Sequence, residues 1–152
     1  DGVPEVITWT NAIQDTVFNE CRECPTLLTE RTWAEREKGF ELVESRLVPT
    51  AYANFVLFIR FLREGNRAAA TRLLADPARF ADAVAKGWDK PGGRGSWRVT
   101  AVEPDETWPH WIVVRHGRGA DGRSWVVNFA VRDGRWIIQD WVQEKAPQVR
   151  AR

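Results

Sequence analysis

Asp140 is the first residue of this chain whose setting asks for a chemical explanation. It sits in residues 123–143, RSWVVNFAVRDGRWIIQDWVQ, where apolar and polar side chains otherwise alternate and the acid falls among the apolar ones. A carboxylate held beside Val127, Ile138 and Val142 is desolvated and so set up as a general base, with His110 or His116 as its proton partner. The competing reading is structural: Asp140 lies near a strand end, where it reaches the rim or pairs with an arginine such as Arg60 or Arg63, since buried acids are paired as a rule. Neither histidine has the two-His, one-carboxylate spacing of a metal site, so neither a metal nor any other cofactor is expected from this set.

Cys21 and Cys24 form a CxxC followed by Pro25, and three chemistries use that spacing. A four-cysteine zinc site needs a second pair, which the chain lacks. A thioredoxin-like redox pair opens a helix in a βαβ unit, whereas the strand-like TLLTERTW follows here. A short disulfide clipping a surface turn in an oxidising compartment is the preferred reading, with half of a metal site shared with another chain as the alternative. The opening DGVPEVITW resembles the end of a calcium loop and the strand after it, as in FG-GAP-like extracellular repeats. Asp1 and Glu5 alone fall short of the six or more oxygens a hard cation takes, so no metal site is expected there.

The element that must position Asp140 is a hairpin. Asp133-Gly134 supplies the positive φ angles of a tight two-residue turn. Counting back from it sets Val131 opposite Trp136, Phe129 opposite Ile138, Val127 opposite Asp140 and Trp125 opposite Val142. The inner face is then Trp125, Val127, Phe129, Val131, Trp136, Ile138 and Val142, with Asp140 among them. The other face carries Val126, Asn128, Arg132, Arg135, Gln139 and Trp141, a mixture that suits a partly wet homodimer interface.

Three helices are expected ahead of the sheet. Thr50 caps the first, in which Tyr52, Phe55, Val56, Ile59 and Leu62 recur at helical spacing, and Gly65 ends it. Asn66 caps a second, RAAATRLLA, with Ala70, Leu73 and Leu74 inward. Asp76-Pro77 opens a third, with Phe80, Ala83 and Val84 inward. DKPGGRGS (89–96) is a loop, without the Gly-Lys-Ser/Thr that a phosphate cradle between strand and helix needs. SWRVTAVEP and HWIVVRHG are strands, and RHGRGADGRS is a glycine-rich connection that reads as a solvated tip. Upstream, residues 27–48 read as a hairpin turning at Lys38-Gly39, with alternation that slips between Leu42 and Val43.

The chain has 152 residues, 43% of them hydrophobic, enough for a proper core. No apolar run is long enough for a spanning helix. Net charge is +1, which argues against a broad nucleic-acid surface. Charge divides unevenly: residues 1–50 carry ten acids and five bases, and residues 51–152 eleven acids and seventeen bases. The expected division is therefore a β-rich N-terminal segment with the CxxC turn over 1–48, a main domain over 49–146 and a tail over 147–152. A first residue other than Met reads as a leader removed or a piece cut from a longer protein. Nine Trp are first of all large core and interface residues.

This order of elements resembles the NTF2-like (cystatin-like α+β) superfamily over residues 50–145, particularly its bacterial extracytoplasmic members. The likeness rests on FLREGN ending the first helix, an alanine-rich second helix, a short third, and the closing VNFAVRDGRWIIQDW. It implies an α+β fold, three helices followed by a curved four-stranded antiparallel sheet, enclosing a cone-shaped cavity. Tyr52, Phe55, Trp125, Val127, Phe129, Trp136 and Ile138 would line that cavity. Family enzymes of the isomerase, dehydratase and epoxide hydrolase types place an acid or histidine in it. The function expected first is a non-catalytic binding or interaction module of a secreted or envelope-associated bacterial protein, taking a small apolar ligand or a protein partner. The alternative is a small-molecule lyase or isomerase using Asp140.

Overall fold

The computed structural model describes residues 4–12, 17–19 and 26–144. In chain order these form β1 (Glu5–Asn11), β2 (Phe18–Asn19), β3 (Leu28–Arg36), β4 (Gly39–Leu47), α1 (Ala51–Arg63), α2 (Arg67–Thr71), α3 (Arg79–Ala85), β5 (Trp97–Val102), β6 (Trp111–His116), β7 (Arg123–Arg132) and β8 (Arg135–Gln143). One sheet has the order β1-β3-β4 and the other β2-β5-β6-β7-β8. The expectation of three helices and one four-stranded antiparallel sheet is thereby corrected, since the chain is 45% strand and 21% helix in two sheets of three and five strands. The fifth strand of the larger sheet is β2, parallel to β5, with Phe18 in register with Trp97. Two residues are too few to show any periodicity, so no pattern announces such a strand. It also carries Val17 and Phe18 into the main core, together with Leu27.

The smaller sheet contains the hairpin expected over 27–48, its loop being Glu37–Lys38, one residue earlier than Lys38-Gly39. The slip in alternation is a β-bulge: Thr32 pairs with Glu44 but Trp33 pairs with Leu42, leaving Val43 as the extra residue. Val6, Trp33 and Leu42 stand in one cross-strand row, and the indole N–H of Trp33 donates to Thr8 Oγ1 at 3.0 Å. On the opposite face Trp9 donates to Glu30, which also pairs with Arg46. Val6, Ile7, Trp9, Phe40, Leu42 and Val43 remain exposed, so most of this sheet stands clear of the body.

The helices follow from their caps. Thr50 Oγ1 accepts from Ala53 N at 3.0 Å, Asn66 Oδ1 from Ala69 N at 3.1 Å, and Asp76 Oδ1 from Ala78 N at 2.9 Å. Each satisfies a backbone donor that has no partner within its own first turn. Tyr52, Phe55, Val56, Ile59 and Leu62 of α1 are all buried, as their spacing predicts. α2 is shorter than expected because Leu73, Leu74 and Ala75 leave the helix to pair with β8: Ile138 N donates to Leu73 O and Ala75 N to Ile138 O, at 2.8 and 2.9 Å. That contact covers part of an edge strand that would otherwise present open backbone groups. Val84, expected to face inward, is exposed, because Ala83 is the residue of α3 that meets the core.

Candidate functional site

The β7–β8 hairpin turns at Asp133-Gly134 as read, with φ of 51° and 71°. Its register holds from Arg132–Arg135 back to Phe129–Ile138 and then shifts. A bulge at Asn128/Phe129 pairs Asn128 with Asp140, Val127 with Trp141, Val126 with Val142 and Trp125 with Gln143. A one-residue shift moves every later side chain to the other face. Asp140 therefore leaves the apolar row, and Asn128 Nδ2 donates to its Oδ1 at 2.6 Å on the outer face. Val142 goes outward with it, while Trp141, expected on the open face, is buried beside Val127 and donates its indole N–H to Asp82 at 2.6 Å. Burial by itself would raise the Asp82 carboxyl, but hydrogen bonds from Lys86 and Trp141 and the charges of Lys86 and Arg79 together hold it below its ordinary value.

The expected cavity between helices and sheet is occupied by aromatic rings. Trp88 is fully buried and lies 6.1 Å from Phe55, 5.3 Å from Trp97, 5.3 Å from Trp125 and 4.9 Å from Trp141 between ring centroids. Tyr52, Phe55, Trp125, Val127, Phe129 and Ile138, expected to line a cavity, are buried in this same cluster. Trp136 alone of that set reaches a hollow. Val131, at the hairpin tip, is exposed.

The hollow it reaches is a half-open groove of about 890 Å³ outside the core. One wall is Leu47, Pro49 and Thr50, where the chain passes from β4 to α1; a second is Asn54, Leu57 and Phe61 of α1, with Arg72 and Leu73; the third is Arg132–Ile137 at the hairpin end. Asn54 is buried, yet its Nδ2 finds no acceptor among the described residues. Arg72, Arg132 and Arg135 stand at this groove, and among the described residues none of them is in an ion pair. The result is an apolar trough with one buried amide donor and three guanidiniums, matching an apolar body with an acceptor and a negative end. Asn54 was detectable in sequence as the one polar residue inside the apolar run AYANFVLF, whereas the groove was not, because its walls come from three separated segments.

The remaining candidates are dispersed. Asp140, His110 and His116 each have a different neighbour. His110 Nδ1 lies 3.4 Å from Glu103, whose carboxylate also accepts from the His110 backbone N–H. His116 stacks on Trp97 at 4.2 Å, and burial pushes its imidazole below the usual histidine value. Among the described residues no three His, Cys, Asp or Glu side chains are placed to share a metal ion, and no helix is long and apolar enough to cross a membrane. Glu5 opens β1. Asp1, Cys21 and Cys24 lie outside the described residues, as do the disulfide, zinc and redox readings that depend on the cysteines. In comparisons with known proteins, no family model, no curated protein and no solved structure matches this chain.

Proposed function

We propose that this chain is a non-catalytic binding module that takes a small amphipathic anion in the groove between α1 and the β7–β8 hairpin. The single observation behind the reading is the buried, unpartnered Nδ2 of Asn54 facing an apolar groove whose fixed charges are mostly arginine. A buried donor without an acceptor costs about 1–3 kcal/mol, a cost that an acceptor on a bound ligand removes. Arg72, Arg132 and Arg135 supply the complement to its negative end, and Leu57, Phe61 and Trp136 the apolar contact. The lyase or isomerase reading lacks comparable support, because Asp140 is bonded to Asn128 on the outer face.

The order of helices followed by antiparallel β5–β8 supports a relationship of residues 50–145 to the NTF2-like superfamily, and with it the secreted or envelope location. A homodimer through the outer face of the large sheet is a second reading, favoured by Val142 standing exposed beside Val126. Light scattering of wild type and Val142→Asp would decide it: a dimer lost in the variant supports it, and a wild-type monomer at high concentration rejects it.

The groove is tested with the fluorescent probe anilinonaphthalene sulfonate, which has an apolar body and one negative end. Saturable binding to the folded protein, displaced by dodecanoate and weakened roughly tenfold by Arg72→Gln with Arg135→Gln, is expected. Asn54→Leu should weaken it as well. Absence of saturable binding, or binding indifferent to all three substitutions, would reject the reading.

A further inference from the structure

We propose a second, separate site on this chain: an arginine-built hollow at the β2–β5–β6 end of the large sheet that takes a phosphate monoester or diphosphate group. Two loops that look unremarkable in sequence, 93–95 and 117–119, come together there. Asn19, Arg94, Gly95, Arg98, Arg115, Gly117, Arg118 and Gly119 enclose about 450 Å³, and no acid is among them.

The floor is a row across three strands. Asn19 is the register partner of Arg98, and Arg98 is that of Arg115. Their neighbours Trp97 and His116 stack on each other on the inner side, so Arg98 and Arg115 share the outer one. Like charges directly opposite each other on a sheet are destabilising. Nothing among the described residues relieves this pair, since none of Arg94, Arg98, Arg115 and Arg118 is in an ion pair.

Two of the guanidiniums are also oriented. Arg115 Nη2 donates to Gly119 O at 2.6 Å, and Arg118 Nη2 donates to Arg94 O. The Arg115 guanidinium lies flat against Gly122, where a Cβ would come within 2.6 Å of its Nε. Gly122 has φ of −63°, open to any residue, so what a side chain would disturb there is the arginine. Four cations without counter-charges, two of them held by backbone carbonyls, complement an oxyanion of charge two or more. The planar guanidinium fork matches phosphate oxygens in pairs. The group would arrive either on a soluble small molecule or as a lipid headgroup.

Isothermal titration with pyrophosphate at low ionic strength should give saturable binding that weakens with salt. Arg98→Gln with Arg115→Gln should weaken it by roughly tenfold or more per guanidinium removed, while the exposed Arg36→Gln should leave it unchanged. The paired variant should melt no lower than wild type, because it relieves a repulsion. Gly122→Ala, which keeps every charge, should also weaken binding by displacing Arg115. Flotation with phosphatidylcholine vesicles containing phosphatidic acid separates the sources. Pyrophosphate binding without vesicle binding supports a soluble ligand, and vesicle binding displaced by pyrophosphate supports a headgroup. Failure to bind pyrophosphate, vesicle binding that pyrophosphate does not displace, or affinity that survives both the paired variant and Gly122→Ala would overturn the site.

Discussion

His116 shows how one side chain ties packing to solution behaviour. Its ring lies on Trp97, and burial favours the neutral imidazole. The unfolded chain therefore takes up this proton more readily than the folded one, so its contribution to stability is full above the ordinary value of 6.5 and is lost as pH falls from there through the lowered folded value. Urea unfolding at about pH 7.5 and about pH 5.5 should show a loss of stability that His116→Phe reduces. Asp82 acts in a different window. Its folded value is lowered, so its contribution is present above 3.8 and is lost as pH falls through the folded value. Asp82→Asn should change only the acid end of that profile. Asp140 is expected to matter locally: Asp140→Ala removes one half-buried hydrogen bond with Asn128, worth about 1 kcal/mol in urea unfolding, and should leave probe binding in the groove unaltered.

The β7–β8 hairpin was legible in sequence at its turn and illegible four residues away. Asp133-Gly134 announces itself because few residues tolerate positive φ, and the pairs from Arg132–Arg135 to Phe129–Ile138 follow by counting. Gly134→Val should cost roughly 1 kcal/mol or more by thermal or urea unfolding, through backbone conformation alone, because no heavy atom lies within 4 Å of where its Cβ would stand. The bulge at Asn128/Phe129 has no comparable mark. Two in-register alternatives compete there, one burying Asp140 and Val142 and the other burying Trp141. The second wins because Trp141 hides a far larger apolar surface and still satisfies its N–H on Asp82, while Asp140 finds Asn128. A carboxylate in the apolar row was the warning that the count had slipped. The same lesson appears in β4, where the irregular alternation at Leu42 and Val43 is a bulge.

Two bodies of unequal protection make up the whole. The large sheet, α1 and the Trp88 cluster share one core, whereas β1, β3 and β4 leave six large apolar side chains exposed. Amide hydrogen exchange should therefore be slowest in β6 and β7 and markedly faster in β1, β3 and β4. Trp88→Ala should cost about 3–5 kcal/mol, since it empties the centre of the aromatic cluster. From the sequence by itself came the elements that local chemistry dictates: the caps Thr50, Asn66 and Asp76, the buried stripe of α1, the turn at Asp133-Gly134, and the hairpin over 27–48. Tertiary structure alone decided that Phe18 adds a parallel strand, that tryptophans fill the expected cavity, that Arg72 meets Arg132 and Arg135 beside Asn54, and that Arg94 and Arg118 close over Arg98 and Arg115. Caps, turns and stripes are settled within a few residues by dihedral angles and hydrogen bonds. Fillings, grooves and charge clusters depend on which distant surfaces meet, and that is chosen by burial over the whole chain.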